Sequence, residues 1–182
     1  MEKAIGMVEF TSIARGIYVA DQMVKISEVE IVSSVTSCPG KYITIVTGDV
    51  AAVKASVGIG EDLAGEFFVD SIVIPNVSEQ VFPAITGATM PEHMEAVGIV
   101  ESFSLATMII AADEIIKAAE VDAIELRLGN GIGGKAYFTF TGEVGAVKTA
   151  ADAGIEIAKE KGLLVNVEVI PSPSDRLIES LL

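Results

Sequence analysis

Cys38 is the only cysteine in the sequence, and it stands in the run Thr36-Ser37-Cys38-Pro39-Gly40-Lys41. A thiolate is both a nucleophile and a soft metal ligand, and Cys followed by Pro at a turn is common among iron–sulfur ligands. One thiol cannot hold a cluster, but a threefold axis through such a loop would bring three together. Two readings of Cys38 stand side by side. A lone cysteine is ordinarily a small buried hydrophobe. Its neighbours point the other way: Pro39-Gly40 at the centre of a four-residue turn suits a type II geometry, with Gly40 at positive φ and Cys38 at the tip.

The second suggestive run is Gly129-Asn130-Gly131-Ile132-Gly133-Gly134-Lys135-Ala136, which satisfies G-x-G-x-x-G. Nucleotide loops of that pattern work by feeding a helix whose N-terminus meets the phosphate. This run feeds Ala136-Tyr-Phe-Thr-Phe140, a strand pattern, and Ala136 stands where a P-loop needs a hydroxyl for Mg²⁺. The pattern therefore argues against nucleotide binding. What remains is a hairpin loop without bulky side chains, where backbone could approach another chain or a solute closely.

No pair of acids and no Ser/His/Asp set has catalytic spacing, so the sequence reads as that of a non-enzyme. The single histidine, His93, falls in an interdomain linker, where it reads as solvated. Glu61, Asp62 and Glu66 read as the solvated face of a helix. Lys25 and Lys117 fall at the ends of equivalent helices, where a cation suits the helix dipole and could also serve an edge contact.

The elements that must position these residues occur twice. Ala4-Ile-Gly-Met-Val-Glu9 returns as Ala96-Val-Gly-Ile-Val-Glu101, and Ala20-Asp-Gln-Met-Val-Lys25 as Ala112-Asp-Glu-Ile-Ile-Lys117. Residues 4–32 against 96–124 share 12 identities in 29 positions, and 40–55 against 134–149 share 8 in 16. A period this long is a whole-domain duplication rather than a solenoid repeat. The shift between copies changes from 92 to 94 between Val32 and Gly40, and again near residue 66, placing two insertions in the second copy.

Alternation and helical spacing predict strands over 4–11, 29–36, 41–47 and 67–74, and helices over 14–26 and 50–65, the latter opened by Asp49 as N-cap. A short helix over 78–86 follows. The second copy repeats the order at 96–103, 106–118, 121–128, 135–141, 144–161 and 163–169, with a tail helix at 174–181. The order is β-α-β-β-α-β, a ferredoxin-like α+β unit. The expected organisation is a first domain over 1–88, a linker over 89–95 and a second domain over 96–182.

Composition bounds the partners. The chain has 182 residues, is 51% hydrophobic but only 5% aromatic, and carries a formal charge of −14. Repulsion argues against nucleic acid or anionic lipid. The longest apolar runs are far shorter than the ~20 residues of a membrane span, and Glu2 and Glu9 interrupt any signal-peptide pattern. The expectation is a cytoplasmic protein with no membrane partner.

The openings AIGMVE and AVGIVE, the ADxxxK helices at 20–25 and 112–117, and the hairpin glycines with Lys41 and Lys135 together resemble the shell domain of bacterial microcompartments. Two such domains in unpermuted order resemble the tandem-domain shell proteins. The SCPGK loop, the GIGGK loop and the EKGLLV…VIPSP ending resemble the T-type members of propanediol-utilisation compartments.

The resemblance implies a homotrimer that imitates a hexagon of single-domain subunits, and that tiles edge to edge with other shell proteins in the cytoplasm. It places the hairpins, with Ser37, Pro39, Gly40, Asn130, Gly131, Ile132, Gly133 and Gly134, around a central pore, and Lys25 and Lys117 at tile edges. It also implies one [4Fe-4S] cluster per trimer, ligated by Cys38 from three subunits, with one iron left open to a solute or water. Such a cluster would pass electrons across the shell, with an encapsulated redox enzyme as partner, or be exchanged as a unit. After the last strands the chain reads Pro75-Asn76-Val77 and Pro171-Ser172-Pro173, without the basic or histidine residues the family often has there.

Two alternatives keep the same scaffold. One is a tile with a plain metabolite pore and Cys38 as a free thiol. The other, of a different class, is a cytosolic trimeric ligand-sensing protein.

Overall fold

The computed structural model describes residues 3–91, 94–160 and 163–181, so His93 lies outside the described residues. The chain forms two compact units, Met1–Val77 and Ser78–Leu182.

In the first unit, β1 (Ala4–Phe10), α1 (Ile13–Ile26), β2 (Val29–Ser37), β3 (Lys41–Gly48), α2 (Val50–Ala64) and β4 (Phe68–Ile74) follow one another, with a single 3₁₀ turn at Gly65–Phe67. The strand order is β2-β3-β1-β4, with every neighbour antiparallel. Each helix thus joins two strands that leave a third between them, the split arrangement read from the sequence. β1 lies inside this sheet and is buried along its whole length, which is why its sequence is a near-continuous apolar run. Ala4, Val8 and Phe10 pack with Val19 and Met23 of α1, and with Val53 and Val57 of α2. Gly6 is required by that packing: a Cβ there would meet Val57 Cγ2 at 2.6 Å and Val53 Cγ1 at 2.7 Å.

The second unit adds α3 (Val81–Thr86), β5 (Ala96–Ser102), α4 (Leu105–Ala118), β6 (Val121–Leu128), β7 (Ala136–Gly142), α5 (Val144–Glu160), β8 (Leu164–Ile170) and α6 (Asp175–Leu181). Its strand order, β6-β7-β5-β8, repeats that of the first. The bulges repeat too. Ladder registers shift between Glu9 and Phe10 and between Glu101 and Ser102, and again between Ile31 and Ser33 and between Ala123 and Glu125. The first insertion falls in the hairpin tip, which runs from Ser37 to Lys41 in one copy and from Gly129 to Lys135 in the other.

The structure refines two expectations. The units divide between Val77 and Ser78 rather than at 88, because the tail of the first copy packs with the second. β6 is an edge strand with unpaired backbone groups on its outer side, and these find partners in that tail. Gln80 donates to the Val121 carbonyl at 3.3 Å and accepts from the Ala123 N–H at 2.8 Å. The Thr89 N–H donates to the Ile124 carbonyl at 2.8 Å, and the Ser78 N–H to Asp113 Oδ1 at 2.8 Å. Thr89, expected in the linker, is thus bonded to the sheet. The second concerns caps, where the expected position holds. Asp49 occupies the N-cap of α2 but its side chain makes no cap hydrogen bond. Side chains do cap elsewhere: Ser12 on α1 and Ser104 on α4 accept the N–H of Arg15 at 3.2 Å and of Thr107 at 3.0 Å. Glu143, the counterpart of Asp49, accepts those of Gly145 at 2.8 Å and Ala146 at 3.2 Å, and Ser174 accepts that of Leu177 at 3.3 Å.

Candidate functional site

The first hairpin closes with Ser37 paired to Lys41, leaving Cys38, Pro39 and Gly40 as a three-residue tip. Gly40 takes the positive φ expected of it, 78°, and the Cys38–Pro39 peptide is cis. Pro39 and Gly40 are exposed, and the Cys38 thiol is free and half-buried. Cys38 is therefore at the turn tip rather than in a core. Ser37 is buried, and its hydroxyl has no hydrogen-bond partner among the described residues.

The second hairpin tip holds four glycines at positive φ: Gly129 (74°), Gly131 (76°), Gly133 (66°) and Gly134 (84°). A Cβ on Gly131 or Gly133 would meet nothing within 4 Å. Backbone conformation alone, not crowding, explains glycine at these positions. The loop is pinned at its base, where the Gly129 N–H donates to the Lys135 carbonyl at 3.0 Å and the Lys135 N–H to the Ile132 carbonyl at 3.3 Å. Asn130, Gly131 and Gly133 are exposed, while Ile132 and Gly134 are half-buried. The loop runs into β7, a strand, as the argument against a nucleotide site requires.

Each hairpin is tied to its own sheet by the same ion pair, which no loop motif announces. Lys41 Nζ lies 2.9 Å from Glu9 Oε1, and Lys135 Nζ pairs with Glu101 Oε1. Glu9 faces Ile43 across the ladder, so Lys41 is its diagonal neighbour on the same face. The glutamates close the repeated A-x-G-x-V-E segments, and the lysines follow the repeated hairpin glycines. That joint repetition was the available signal. The two pairs differ in burial: the Glu9 side chain is 5% exposed and that of Glu101 is 28%.

Lateral support also differs. In the first hairpin it is neutral, the Tyr42 hydroxyl donating to the Ser34 carbonyl at 3.0 Å. In the second it is charged. The Tyr137 hydroxyl donates to Glu125 Oε2 at 2.6 Å, and Arg127 holds Glu125 Oε1 at 2.7 Å. Burial, reinforced by the Glu125 carboxylate, pushes Tyr137 up to about 12, against a smaller downward pull from Arg127.

Lys25 and Lys117 stand in the last turns of α1 and α4, away from the hairpin tips. Each reaches an aspartate one turn earlier, Lys25 to Asp21 and Lys117 to Asp113, both at 2.6 Å. Asp21 is half exposed, whereas Asp113 is buried. Among the described residues no group of three or more His, Cys, Asp or Glu side chains could hold a metal ion. The donor set of one chain is thus a single soft thiol, which suits a cluster only where symmetry multiplies it. Among the described residues no helix is long and apolar enough to cross a membrane.

Two sheets of one topology, with matching bulges, ion pairs and Asp–Lys turns, describe one domain occurring twice. A family model described as the BMC domain matches the chain twice, over residues 4–77 and 96–173. The chain belongs to the BMC-domain family. It is a tandem-domain shell protein, and the first match ends at the residue where its first unit ends.

It is 44% identical over 177 residues to the bacterial microcompartment shell protein PduT of Citrobacter freundii, covering 97% of this chain and 96% of that protein. The crystal structure of a microcompartment protein from Desulfitobacterium hafniense superposes with a TM-score of 0.94 at 46% identity, covering 98% of this chain and 99% of that one. The microcompartment shell protein EutM of Escherichia coli is 40% identical over 87 residues, 47% of this chain and 87% of that protein. That match spans about one copy of the repeat.

Proposed function

We propose that this shell subunit assembles as a homotrimeric, pseudohexagonal tile, with the hairpins of both copies around a central pore and Cys38 at that pore. In this reading, Cys38 from each of three chains ligates one [4Fe-4S] cluster, which supplies one-electron transfer across the shell or is carried across as a unit. The tile is structural rather than catalytic, Lys25 and Lys117 lie at its edges, and an encapsulated redox enzyme is the electron partner.

The observation that carries the proposal is the difference between two hairpins built on one plan. Both are held by the same Glu–Lys pair, yet one tip presents a free thiol and the other only glycines, Asn130 and Ile132. A ring of identical copies would carry six alike tips. Three duplicated chains can give three tips a ligand and leave three bare. The chain's own residues hold the thiols: the glutamate–lysine ties fix the hairpin bases, and Gly40 permits the turn that presents Cys38.

Anaerobic purification, with iron and sulfide analysis, absorbance and paramagnetic resonance, tests the proposal. The expected result is a cluster signal of about one per trimer that Cys38→Ser abolishes while light scattering still gives a trimer. Iron-free protein after reconstitution would sink the cluster and leave a plain pore with a free thiol.

A further inference from the structure

The duplication supplies an internal template for a surface that the isolated chain leaves bare. On the first unit, α1 exposes Ile13, Ile17 and Tyr18, and the adjoining edge strand β2 exposes Ile31 and Val35. Of their counterparts in the second unit, Leu105, Ile109 and Ala123 are buried and Ile110 is half-buried, while Arg127, in the place of Val35, is exposed. Ile17 is 55% exposed but its equivalent Ile109 is 0%, and Ile31 is 48% exposed but its equivalent Ala123 is 4%. The second unit has residues 78–90 seated on β6 and α4, with Val81 and Ala84 of α3 buried. No described segment of the first unit does the same for β2 and α1.

The tail that covers the second unit is the C-terminal end of the first copy. It leaves β4 through Ile74-Pro75 and seats itself on the copy that follows. The second copy ends in the same way: Ile170-Pro171 leads to Ser174 and α6, with Ser174, Arg176 and Leu177 in the places of Ser78, Gln80 and Val81. The acceptor is repeated as well. Asp113 receives the Ser78 N–H, and its equivalent Asp21 stands half exposed on α1, bonded through Oδ2 to Lys25 and Gln22.

We propose that the segment from Ser174 through α6 of one chain docks on the α1–β2 face of the first unit of a second copy of the chain, with the Ser174 N–H on Asp21 Oδ1. The contact is head-to-tail, so repeated through the trimer of the proposed function it closes a ring of three copies. Arg176 replaces Gln80, so it donates to the Val29 carbonyl, the equivalent of the Val121 carbonyl, but cannot accept from the Ile31 N–H as Gln80 does from Ala123. The inference rests on the trimer of the proposed function and adds which segment of each chain joins which face of the next.

Disulfide trapping tests it in a Cys38→Ser background. Ser78→Cys with Asp113→Cys is the intrachain control, since the Ser78 N–H donates to Asp113 Oδ1 at 2.8 Å and so makes the two residues neighbours. The test pair is Asp21→Cys with Ser174→Cys, oxidised mildly and followed by light scattering and non-reducing denaturing gels. The expected result is a covalent three-chain species that collapses on reduction and is missing from either single variant. A protein that scatters as a trimer yet yields no interchain bond, while the control pair closes, overturns the docking and spares the trimer. An intrachain bond also overturns it. Products of more than three chains support the docking and refute the closed trimer.

Discussion

Lys41→Met and Lys135→Met remove the same cation from equivalent places in the two copies, yet their effects should differ. Glu9 is almost wholly enclosed, its side chain 5% exposed. Without Lys41 it is a buried carboxylate with no counter-ion, a loss that costs about 3 kcal/mol. Glu101 is 28% exposed and stays partly hydrated when Lys135 is removed, so its loss costs about 1 kcal/mol or less. The difference of about 2 kcal/mol corresponds to roughly 4–8 °C in Tm for a chain of this size. Thermal unfolding followed by circular dichroism reads it, with the variants compared at one protein concentration because assembly adds its own stabilisation. Glu9→Gln combined with Lys41→Met should recover most of the loss, since a neutral pair leaves no buried charge. Equal losses for the two lysines, or a larger one for Lys135→Met, would refute the argument from burial.

Tyr137 gives a pH dependence confined to alkali. Its folded pKa of about 12 lies above the unfolded value of 10, so its contribution is complete below pH 10 and is lost as pH rises to 12. Denaturation midpoints should fall across that window by on the order of 1 kcal/mol, and Tyr137→Phe should flatten the slope. Gly133→Ala should cost about 1 kcal/mol, because φ of 66° strains any Cβ-bearing residue although the space around it is open. Gly133→Asn should cost less, as measured by the same melts, because asparagine tolerates that backbone region.

Much of this architecture was legible because the duplication let each copy check the other. The strands and helices follow from apolar periodicity, and the observed ends lie within a residue or two of those expected, except that α3 begins at Val81 rather than at 78. Cys38 at a turn tip was readable from Pro39 and Gly40, since their backbone preferences act locally. The tail helix was assigned to the wrong unit for a reason no local pattern carries. Val81 and Ala84 are buried where α3 packs on β6 and α4, elements distant in sequence, and Gln80 completes an edge whose need appears only once the sheet exists. Ser12 and Ser104 were readable as caps, being Ser at the same place in both copies, but Asp49 drew attention by its position before a helix. Glu9 was hidden in an apparently uniform core strand. Its role depends on the diagonal pairing with Lys41, which requires the ladder register. What the hairpins bind follows neither from periodicity nor from the geometry of one chain, because a single thiol acquires its partners through symmetry.

The boundary at Val77 means that the covalent repeat and the physical repeat are out of step. A chain holding one copy has one tail and one α1–β2 face, and its tail can meet the equivalent of its present site only on another polypeptide. Joining two copies brings one of those encounters within the same molecule, replacing dilution by the high effective concentration of a tether. In this chain the seating of α3 does not depend on how much protein is present, whereas a severed contact of the same kind would weaken on dilution. The fusion therefore does more than permit unlike hairpins: it makes part of the assembly independent of expression level.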